Sequence, residues 1–292
     1  MKNHHKTEAE LRIESEELQQ KLISQMATSG NDVSRYDVTF LNKLLQKRIA
    51  ETHCESVDDY CHLLEQNSNE EAIFADSLHN SYTEFFRNPL TFAVLERIVL
   101  PALFHKKNNT KNKEIRIWSA ACAAGQEAYS LAMLLEDLKD IKVEGINYRI
   151  FATDQCEAQV EEARKGTYSV AALNNMNLKR VSQWFTKRGD TYSVKQELKK
   201  NIDFSVFDLF SEQFSSPPSS IFGDFDLVVC ANLLFYYKPE FQKVIVEKAG
   251  NCLANNGYLV VGETERDILI KHNYQEVFPQ SGIFQKKITP TP

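Results

Sequence analysis

The sequence predicts an α/β protein in which a mainly parallel sheet follows a small all-helical domain. From residue 114 onward, short strand-like apolar runs alternate with amphipathic helical segments, a pattern typical of a parallel sheet covered on both faces. Before residue 114, apolar residues recur mainly at helical spacing. A chain of 292 residues, 42% hydrophobic and 25% charged, is long enough for one large or two modest globular domains.

The N-terminal part is predicted to contain four helices. Turn-forming residues at 29–32 separate the first two helices. Ser56 is the expected N-cap of the third helix, because its hydroxyl can accept a backbone N–H and acids follow in the first turn. The predicted helices cover residues 8–27, 38–51, 56–66 and 70–86. We therefore expect an N-terminal helix or tail at 1–30 and a helical domain at 31–88.

A fifth helix is predicted to link this domain to the sheet. Pro89 suits its first turn, and Pro101 is expected to kink or end it. Residues 106–114 are polar and unpatterned, which predicts a surface loop. The linker helix and loop thus occupy 89–113, and the sheet domain is expected at 114–288.

The elements of the sheet domain follow one another in a regular alternation, without an internal repeat. The predicted strands are EIRIWSA, NYRIFATD, NIDFSVFDL, FDLVVCANLLFYY and GYLVVGE. The predicted helices between them are EAYSLAMLLEDL, CEAQVEEARKG and PEFQKVIVEKAGNCL. The late strand YLVVG and the tail SGIFQKK are expected to form a closing hairpin.

Composition and patterning exclude several classes of function. No apolar run approaches the ~20 residues of a membrane-spanning helix, and the polar N-terminus lacks the apolar core of a signal peptide. We therefore expect a cytoplasmic protein without membrane insertion. The net charge of −6 argues against nucleic acid as a main partner. The six cysteines form no CxxC pair, and the His and Cys residues lack metal-ligand spacing, so no metal site is expected.

The segment SAACAAGQE, residues 119–127, joins the first predicted strand to a helix through small side chains. Such a turn lies at the carboxyl edge of the sheet, where ligands bind, and small residues allow the backbone to approach a ligand closely. Neither GxGxxG nor GxxxxGK followed by Ser or Thr is present. Glu127 disfavours a phosphate but is compatible with a cationic ligand such as S-adenosylmethionine. Its alternative role is that of a first-turn acid that complements the helix dipole.

The second predicted strand ends in Asp154. A carboxylate in this position can accept two hydrogen bonds from a ribose diol, which suits either NAD or S-adenosylmethionine. Asp154 is also a suitable N-cap for the following helix, and both interpretations stay open. Together with a first turn that lacks a phosphate-binding motif, the acid favours the methyl donor.

Four motifs resemble the CheR-type chemotaxis receptor methyltransferases, and the resemblance extends from about Asp32 to Phe284. YTEFFRN is similar to the family's T-x-F-F-R segment, and SAACAAGQEAYSLA to its S-A-A-x-x-x-G-E-E-P-Y-S-x-A loop. FATD with the later EARKGTYS, and VCANLLFYY, resemble the second-strand and C-R-N-V-x-I-Y-F motifs. The resemblance implies a Rossmann-like class I S-adenosylmethionine-dependent methyltransferase sheet. It also implies that S-adenosylmethionine is the cofactor and S-adenosylhomocysteine its product.

The resemblance implies a role for each matching residue. Arg87 and Tyr236 would lie near the transferred methyl group, with surface salt bridging and core packing as their respective structural alternatives. Phe85, Phe86 and Leu233 are expected to form an apolar wall on the substrate side. The implied cofactor-binding positions are Ser81, Thr83, Arg87, Glu127, Asp154, Asp208, Leu209, Ala231 and Asn232. Departures from the family pattern occur at Ser81, Gln126, Ala128, Asp208, Ala231 and in GETE at 262–265.

The implied reaction is methyl transfer to glutamate carboxylates of a chemoreceptor or related signalling protein. The alternatives are a non-catalytic module that binds S-adenosylmethionine or S-adenosylhomocysteine, and a methyltransferase with another acceptor. In the family, basic residues of the helical domain face an acidic receptor helix. Lys43, Lys47 and Arg48 could form such a patch, although residues 35–80 carry four bases and nine acids. A solvated helix face is the alternative.

Overall fold

The computed structural model describes residues 33–78, 82–142, 145–220 and 223–287. These residues form two compact units. The first contains the described residues up to 78 together with Phe235–Phe241, and the second contains the rest. The predicted helix at 8–27 and the turn at 29–32 lie outside the described residues.

Three helices make up most of the first unit: α1 (Val38–Thr52), α2 (Val57–Gln66) and α3 (Ser68–Leu78). The Asp37 carboxylate caps α1 by accepting the backbone N–H groups of Thr39 and Phe40. Ser56 caps α2, as predicted, by accepting from the backbone N–H of Asp59 at 3.1 Å. Helix α3 ends at Leu78, whereas the sequence pattern predicted a helix to residue 86.

A buried ion pair joins α1 to α3. The Arg48 guanidinium donates to both carboxylate oxygens of Glu70, at 2.8 and 2.6 Å, and the Tyr60 hydroxyl donates to the same carboxylate at 2.7 Å. The side chains of Arg48 and Glu70 are only 12% and 7% exposed. The prediction of a basic patch made of Lys43, Lys47 and Arg48 is therefore wrong for Arg48, because its guanidinium is largely buried and pairs with Glu70.

The segment Phe235–Phe241 packs within the first unit through aromatic rings. Tyr36 and Tyr237 form a β-bridge, and their rings stack with centroids 5.1 Å apart. The backbone N–H of Asp37 donates to the carbonyl of Tyr236 at 2.8 Å, and the rings of Phe40 and Tyr236 meet edge to face at 4.9 Å.

The second unit begins with a continuous helical stretch made of α4 (Pro89–Val94), a π-helical turn (Leu95–Val99) and α5 (Leu100–Asn108). Pro89 occupies the first turn, as predicted. Pro101 does not end the helix, because the wider π turn directly precedes it and such turns accommodate a missing backbone hydrogen bond. The loop predicted at 106–114 starts later, since Lys107 is a buried helix residue whose ammonium lies 2.8 Å from the Asp226 carboxylate.

The large sheet of the second unit has seven strands: β1 (Glu114–Ser119), β2 (Asn147–Asp154), β6 (Ile202–Val206), β7 (Phe225–Val229), β8 (Leu253–Val260), β9 (Tyr274–Glu276) and β10 (Ile283–Lys286). Their order is β6-β2-β1-β7-β8-β10-β9. The first five strands are parallel, with Ile117 of β1 opposite Ile150 on one side and Leu227 on the other. β10 runs antiparallel to β8, as the closing pair was predicted to, but the helix Arg266–Lys271 and β9 intervene in the chain.

The helices between the strands of this sheet are α6 (Gln126–Lys142), α7 (Glu157–Lys165), α8 (Leu178–Trp184), α9 (Gln196–Lys199), α10 (Pro239–Asn251) and α11 (Arg266–Lys271). All five residues of β7 are buried, which is expected of a central strand covered on both faces. In the described part of the chain, no helix has the length and apolar character needed to cross a membrane.

A second sheet, which the sequence pattern did not predict, lies between α7 and α9. Its strands are β3 (Thr167–Ser169), β4 (Phe185–Arg188) and β5 (Thr191–Val194), in the order β3-β5-β4 with antiparallel pairing. We refer to residues 167–194, which hold this sheet and α8, as the insertion.

Candidate active site

The loops that follow β1, β2, β6 and β7 lie together at the carboxyl edge of the parallel strands. The order of the strands reverses between β1 and β7, and this switch point is where open α/β sheets bind ligands. The loop after β1 is hydrogen-bonded on both sides, since the N–H of Ala120 donates to Val229 and that of Cys122 donates to Thr153.

The loop after β1 contains small residues because its backbone conformation and its close packing leave little room for larger side chains. Ala123 and Gly125 have positive φ values of 44° and 90°. A Cβ atom on Gly125 would lie 2.9 Å from the Cβ of Ala163 in α7 and 3.3 Å from the ring of Phe204. Gly125 therefore allows the start of α6 to pack closely against α7.

Glu127 lies in the first turn of α6, and its side chain is partly buried. The Ser119 hydroxyl donates to it at 2.6 Å. Burial raises its pKa from 4.5 to about 7, against the opposing effects of the Ser119 hydrogen bond and the charge of Arg87, while the charge of Glu265 raises it further. A cationic ligand would stabilise the ionised form of this partly desolvated acid.

Asp154 ends β2 and binds two separate backbone groups. Its Oδ2 accepts from the N–H of Ala123 and its Oδ1 from that of Cys156, each at 2.9 Å. The N-cap of α7 is Cys156, not Asp154, so the helix-cap interpretation of Asp154 is wrong. The carboxylate instead holds the loop after β1 against the end of β2.

A buried carboxylate organises the loops after β7 and β8. Glu265 has no solvent exposure, and its oxygens accept from the N–H groups of Asn232, Leu234 and Gly262 at 2.8, 2.6 and 2.7 Å. Asn232 has a φ of +61°, and a Cβ on Gly262 would lie 2.3 Å from its side-chain nitrogen. Glu265 thus fixes Asn232 in an uncommon backbone conformation.

Arg87 lies in a short segment that precedes α4. Its guanidinium donates to the carbonyl of Tyr82 at 2.7 Å and lies over the Tyr82 ring at 5.1 Å. Phe86 and Asn88, its two neighbours, both have positive φ values, 54° and 61°. The N–H of Phe86 donates to the Ser130 hydroxyl at 3.0 Å, which links this segment to the first turns of α6.

The remaining predicted positions are dispersed around this edge. Asp208 follows β6, and its Oδ1 accepts from the N–H of Phe210 at 2.8 Å, while Leu209 is buried. Thr83 and Ala231 are half-buried. Ser81 lies outside the described residues.

Phe85 has no solvent exposure and belongs to the core of the second unit, so its assignment to a substrate-facing wall is wrong. Tyr236 belongs to the segment Phe235–Phe241 and thus to the first unit.

A cleft of about 680 Å³ lies elsewhere, at the amino edge of β1, β2 and β6. It is lined mainly by polar and charged side chains, among them Arg149, Arg164, Lys199, Lys200 and Asp203. Since catalytic and ligand sites of open parallel sheets lie at the carboxyl edge, the cleft is distinct from the candidate active site.

A match to a protein-family model shows which family the chain belongs to. The model described as CheR methyltransferase, SAM binding domain, matches residues 81–282. The chain belongs to the CheR methyltransferase family.

Relatives in this family match along most of the chain. A chemotaxis protein methyltransferase of Borreliella burgdorferi is 28% identical over 90% of this chain and 92% of that protein. Chemotaxis protein methyltransferase 1 of Pseudomonas aeruginosa is 28% identical over 84% of this chain and 87% of its own length. A chemotaxis protein methyltransferase of Escherichia coli is 29% identical over 76% of this chain and 74% of its own length.

Membership of the CheR methyltransferase family confirms the resemblance found in the four motifs. It also agrees with the sheet, whose strands lie in the order third, second, first, fourth, fifth, seventh and sixth when they are numbered along the chain. The last strand in the chain, β10, runs antiparallel to β8, which belongs to the parallel part. This is a Rossmann-like class I S-adenosylmethionine-dependent methyltransferase fold.

The residues of the candidate site fit the cofactor of the CheR methyltransferase family. Next to Glu127 in the chain, the Oε1 atom of Gln126 is buried and accepts no hydrogen bond within the described part of the chain. A ligand that carries a hydrogen-bond donor, such as an ammonium group, can satisfy this acceptor. In the sequence, Gln126 and Glu265 stand out only as parts of motifs, and the burial of Glu265 has no local sequence signal.

Proposed function

We propose that this protein transfers the methyl group of S-adenosylmethionine to glutamate side-chain carboxylates of a chemoreceptor or related signalling protein, giving glutamate methyl esters. The observation that carries the proposal is the partly buried Glu127 carboxyl at the carboxyl edge of β1, which accepts from the Ser119 hydroxyl and whose raised pKa favours a cationic ligand. The printed descriptions of the CheR-family relatives support the chemotaxis setting.

The proposed cofactor site divides into three parts. Glu127 and Gln126 would bind the ammonium group of the methionine end, with Ser81, Thr83 and Arg87 covering it. Asp154 would accept hydrogen bonds from the ribose hydroxyls. The two backbone hydrogen bonds that Asp154 accepts, from Ala123 and Cys156, hold its carboxylate at the end of β2. The adenine end is assigned to Asp208, Leu209, Ala231 and Asn232.

The cofactor supplies a methyl group activated by a positively charged sulfur. A glutamate acceptor is ionised at neutral pH, so this chain need not provide a general base. Its task is to orient the acceptor and exclude water, and orientation can contribute ~7–11 kcal/mol. We assign Arg87 to hold the acceptor carboxylate through charge-assisted hydrogen bonds. Tyr236 is assigned on its motif match to donate to, or pack against, the reacting groups.

The proposed compartment is the cytoplasm, and the proposed partner is the methyl-accepting protein, with no nucleic acid. The described helices of the first unit favour no basic docking patch, because Arg48 is buried against Glu70. Selection of the acceptor is therefore expected to depend mainly on other surfaces than this helix face.

Transfer of labelled methyl groups tests the proposal. The full chain is incubated with labelled S-adenosylmethionine and a chemoreceptor cytoplasmic domain, and base-labile methyl esters are expected. Arg87→Ala should lose turnover, whereas Arg97→Ala, a change of an exposed arginine in the π turn, should not. Tight cofactor binding without ester formation would instead identify a binding module. Base-stable labelling would identify another acceptor.

A further inference from the structure

The insertion contacts the segment before Arg87 at three consecutive residues. The amide nitrogen of Asn175 donates to the Glu84 carboxylate at 3.1 Å. The ring of Phe85 meets those of Tyr168 and Phe185 edge to face, at 5.0 and 5.6 Å. The guanidinium of Arg180 lies over the ring of Phe86 at 4.7 Å. On the insertion side, all four of these contacts come from residues 168–185.

Arg180 is held rigidly where it meets Phe86. Two of its nitrogens, Nε and Nη2, donate to the Asp137 carboxylate in α6, at 3.1 and 3.0 Å. Its Nη2 also donates to Glu96 in the π turn, at 2.5 Å. The side chain is only 13% exposed, so its charge is balanced largely by these two acids. Arg180 therefore joins the insertion to α6 and to the helical stretch after Arg87.

The backbone around Arg87 needs such support. A bulky residue with positive φ costs on the order of 1–3 kcal/mol and persists only where its surroundings impose it. Phe86 is in this conformation and is held by the Ser130 hydroxyl, by the Phe92 ring at 5.3 Å, and by Arg180. Of these three contacts, only Arg180 comes from the insertion. The direction in which Arg87 leaves the backbone thus depends on a residue of the insertion.

The insertion also touches the loop after β1. The Tyr168 hydroxyl donates to the carbonyl of Ala124 at 2.6 Å, next to Gly125 and close in sequence to Glu127. One inserted segment therefore supports both the Arg87 segment and the proposed cofactor loop.

We propose that Arg180 is a positioning residue for Arg87, and that the insertion is part of the catalytic scaffold. The proposal rests on the proposed function for the role of Arg87, but the placement of Phe86 by Arg180 does not. Changing Arg180 should disturb methyl transfer and cofactor affinity through Arg87, although Arg180 touches neither reactant in this assignment.

A double-mutant cycle with Arg87 tests this coupling. Arg180→Gln removes the charge that lies over Phe86, and Arg180→Lys keeps the charge for Asp137 and Glu96 but loses the planar group. Lys179→Gln, at the adjacent exposed position of α8, is the matched control. Thermal unfolding verifies that each variant is folded. If Arg180→Gln does not fold, the cycle is measured with Arg180→Lys.

The readouts are the methyl-transfer rate constant and the affinity for S-adenosylhomocysteine measured by calorimetry. We expect either Arg180 variant to lower kcat about 10–100-fold, the scale of a small misplacement of a reacting group, and the control to change it less than about twofold. Because turnover is lost in the Arg87→Ala background, the cycle is read there from the affinity for S-adenosylhomocysteine, on which the same Arg180 change should have almost no further effect.

Equal effects of the Arg180 change in both backgrounds would overturn the proposal, since Arg180 would then act only on overall stability. An Arg180 variant with wild-type kcat and affinity would also overturn it. If the wild-type chain transfers no methyl group, the proposed function fails, and the cycle measured on S-adenosylhomocysteine affinity still decides whether Arg180 acts through Arg87.

Discussion

The carboxylate of Glu265 accepts a hydrogen bond from the backbone N–H of Asn232, with 2.8 Å between the two heavy atoms. The same side chain accepts from Leu234 and Gly262, at 2.6 and 2.7 Å, so one buried group joins the loops that follow β7 and β8. An amide cannot replace it fully, because its NH₂ group would face a backbone donor.

Glu265→Gln should therefore reduce both stability and cofactor affinity. Loss of a hydrogen bond to a charged group costs about 2 kcal/mol, and the opposed donors add to this cost. Denaturant unfolding and calorimetric titration with S-adenosylhomocysteine measure the two effects. Glu263→Gln, in the same turn but exposed, is the control and should change neither. A Glu265→Gln protein with unaltered loops and wild-type stability would contradict the structural role.

The affinity for S-adenosylmethionine should rise with pH through about 7. The pKa of Glu127 is about 7 in the free protein, and a cationic ligand prefers its ionised form, so binding must displace a proton at lower pH. Below the pKa, the dependence approaches tenfold for each pH unit. Titrations between pH 5.5 and 8.5 should show this slope in the wild type and lose it in Glu127→Gln. The same slope in both proteins would assign the proton to another group.

The stability of the free protein should show the opposite trend at Glu127. Because the folded pKa of about 7 lies above the ordinary 4.5, the stabilising contribution of the protonated group is complete below about 4.5 and is lost as the pH rises through 7. Glu127→Gln lacks this titration. Relative to the wild type, the variant should gain about 1.4 kcal/mol in unfolding free energy between pH 6 and 8.5. Parallel stability curves for the two proteins would show that the carboxyl stays ionised.

Asp154→Asn should weaken cofactor binding about 10–100-fold. The change removes the charge and one acceptor from a side chain that serves two backbone N–H groups and, in the proposed function, the ribose hydroxyls. Calorimetry with S-adenosylhomocysteine measures the loss. Asp190→Asn, at an exposed turn of the insertion, provides the control. Binding within twofold of wild type would remove Asp154 from the proposed site.

Arg48→Met should destabilise the protein by about 3–5 kcal/mol, because it leaves the buried Glu70 carboxylate without its charged partner. The exposed neighbour Lys47 pairs with Glu51 at 3.8 Å, and Lys47→Met should cost less than about 1 kcal/mol. Burial raises the pKa of Glu70, but hydrogen bonds from Arg48 and Tyr60 lower it more, so its contribution is present above pH 4.5 and is lost as the pH falls further. Denaturant unfolding at pH 7 and pH 4 tests both statements, and equal losses for the two variants would contradict them.

Alanine substitutions at two glycines with nearly the same φ can distinguish the cost of backbone strain from the cost of overpacking. Gly125 and Gly145 have φ values of 90° and 93°, but a Cβ on Gly145 would meet nothing within 4 Å. Gly145→Ala should cost about 1 kcal/mol from the backbone alone, and Gly125→Ala should cost a further ~1–3 kcal/mol from overpacking against Ala163. Thermal or denaturant unfolding gives the difference. Equal losses would show that α7 moves away freely.

The long elements were predictable because each carries a pattern of its own. The buried strand NYRIFATD and the Leu stripe of α6 need no distant information to be recognised. The small sheet was missed because its strands have only three or four residues and its β4 pattern, FTKR, exposes three of four side chains. Such strands are stabilised by pairing between distant parts of the chain, which a local pattern does not encode.

The site was predictable where chemistry is local and unpredictable where it depends on burial. Glu127 could be singled out because an acid follows a turn of small residues. Glu265 looks like an ordinary surface acid in GETE, and its partners lie 31 and 33 residues away as well as nearby. Phe85 looked like part of a helix or a binding wall, but the positive φ of Phe86 turns the chain and leaves Phe85 in the core.

The assignment of Phe235–Phe241 to the first unit means that the polypeptide enters this unit twice. A family boundary drawn at residue 81 therefore does not coincide with a separable module. Recombination that replaced only the N-terminal residues would give Tyr237 a foreign partner in place of Tyr36. Evolution of the two stretches is accordingly expected to be correlated, so that chimeras between homologues work only when both are exchanged together.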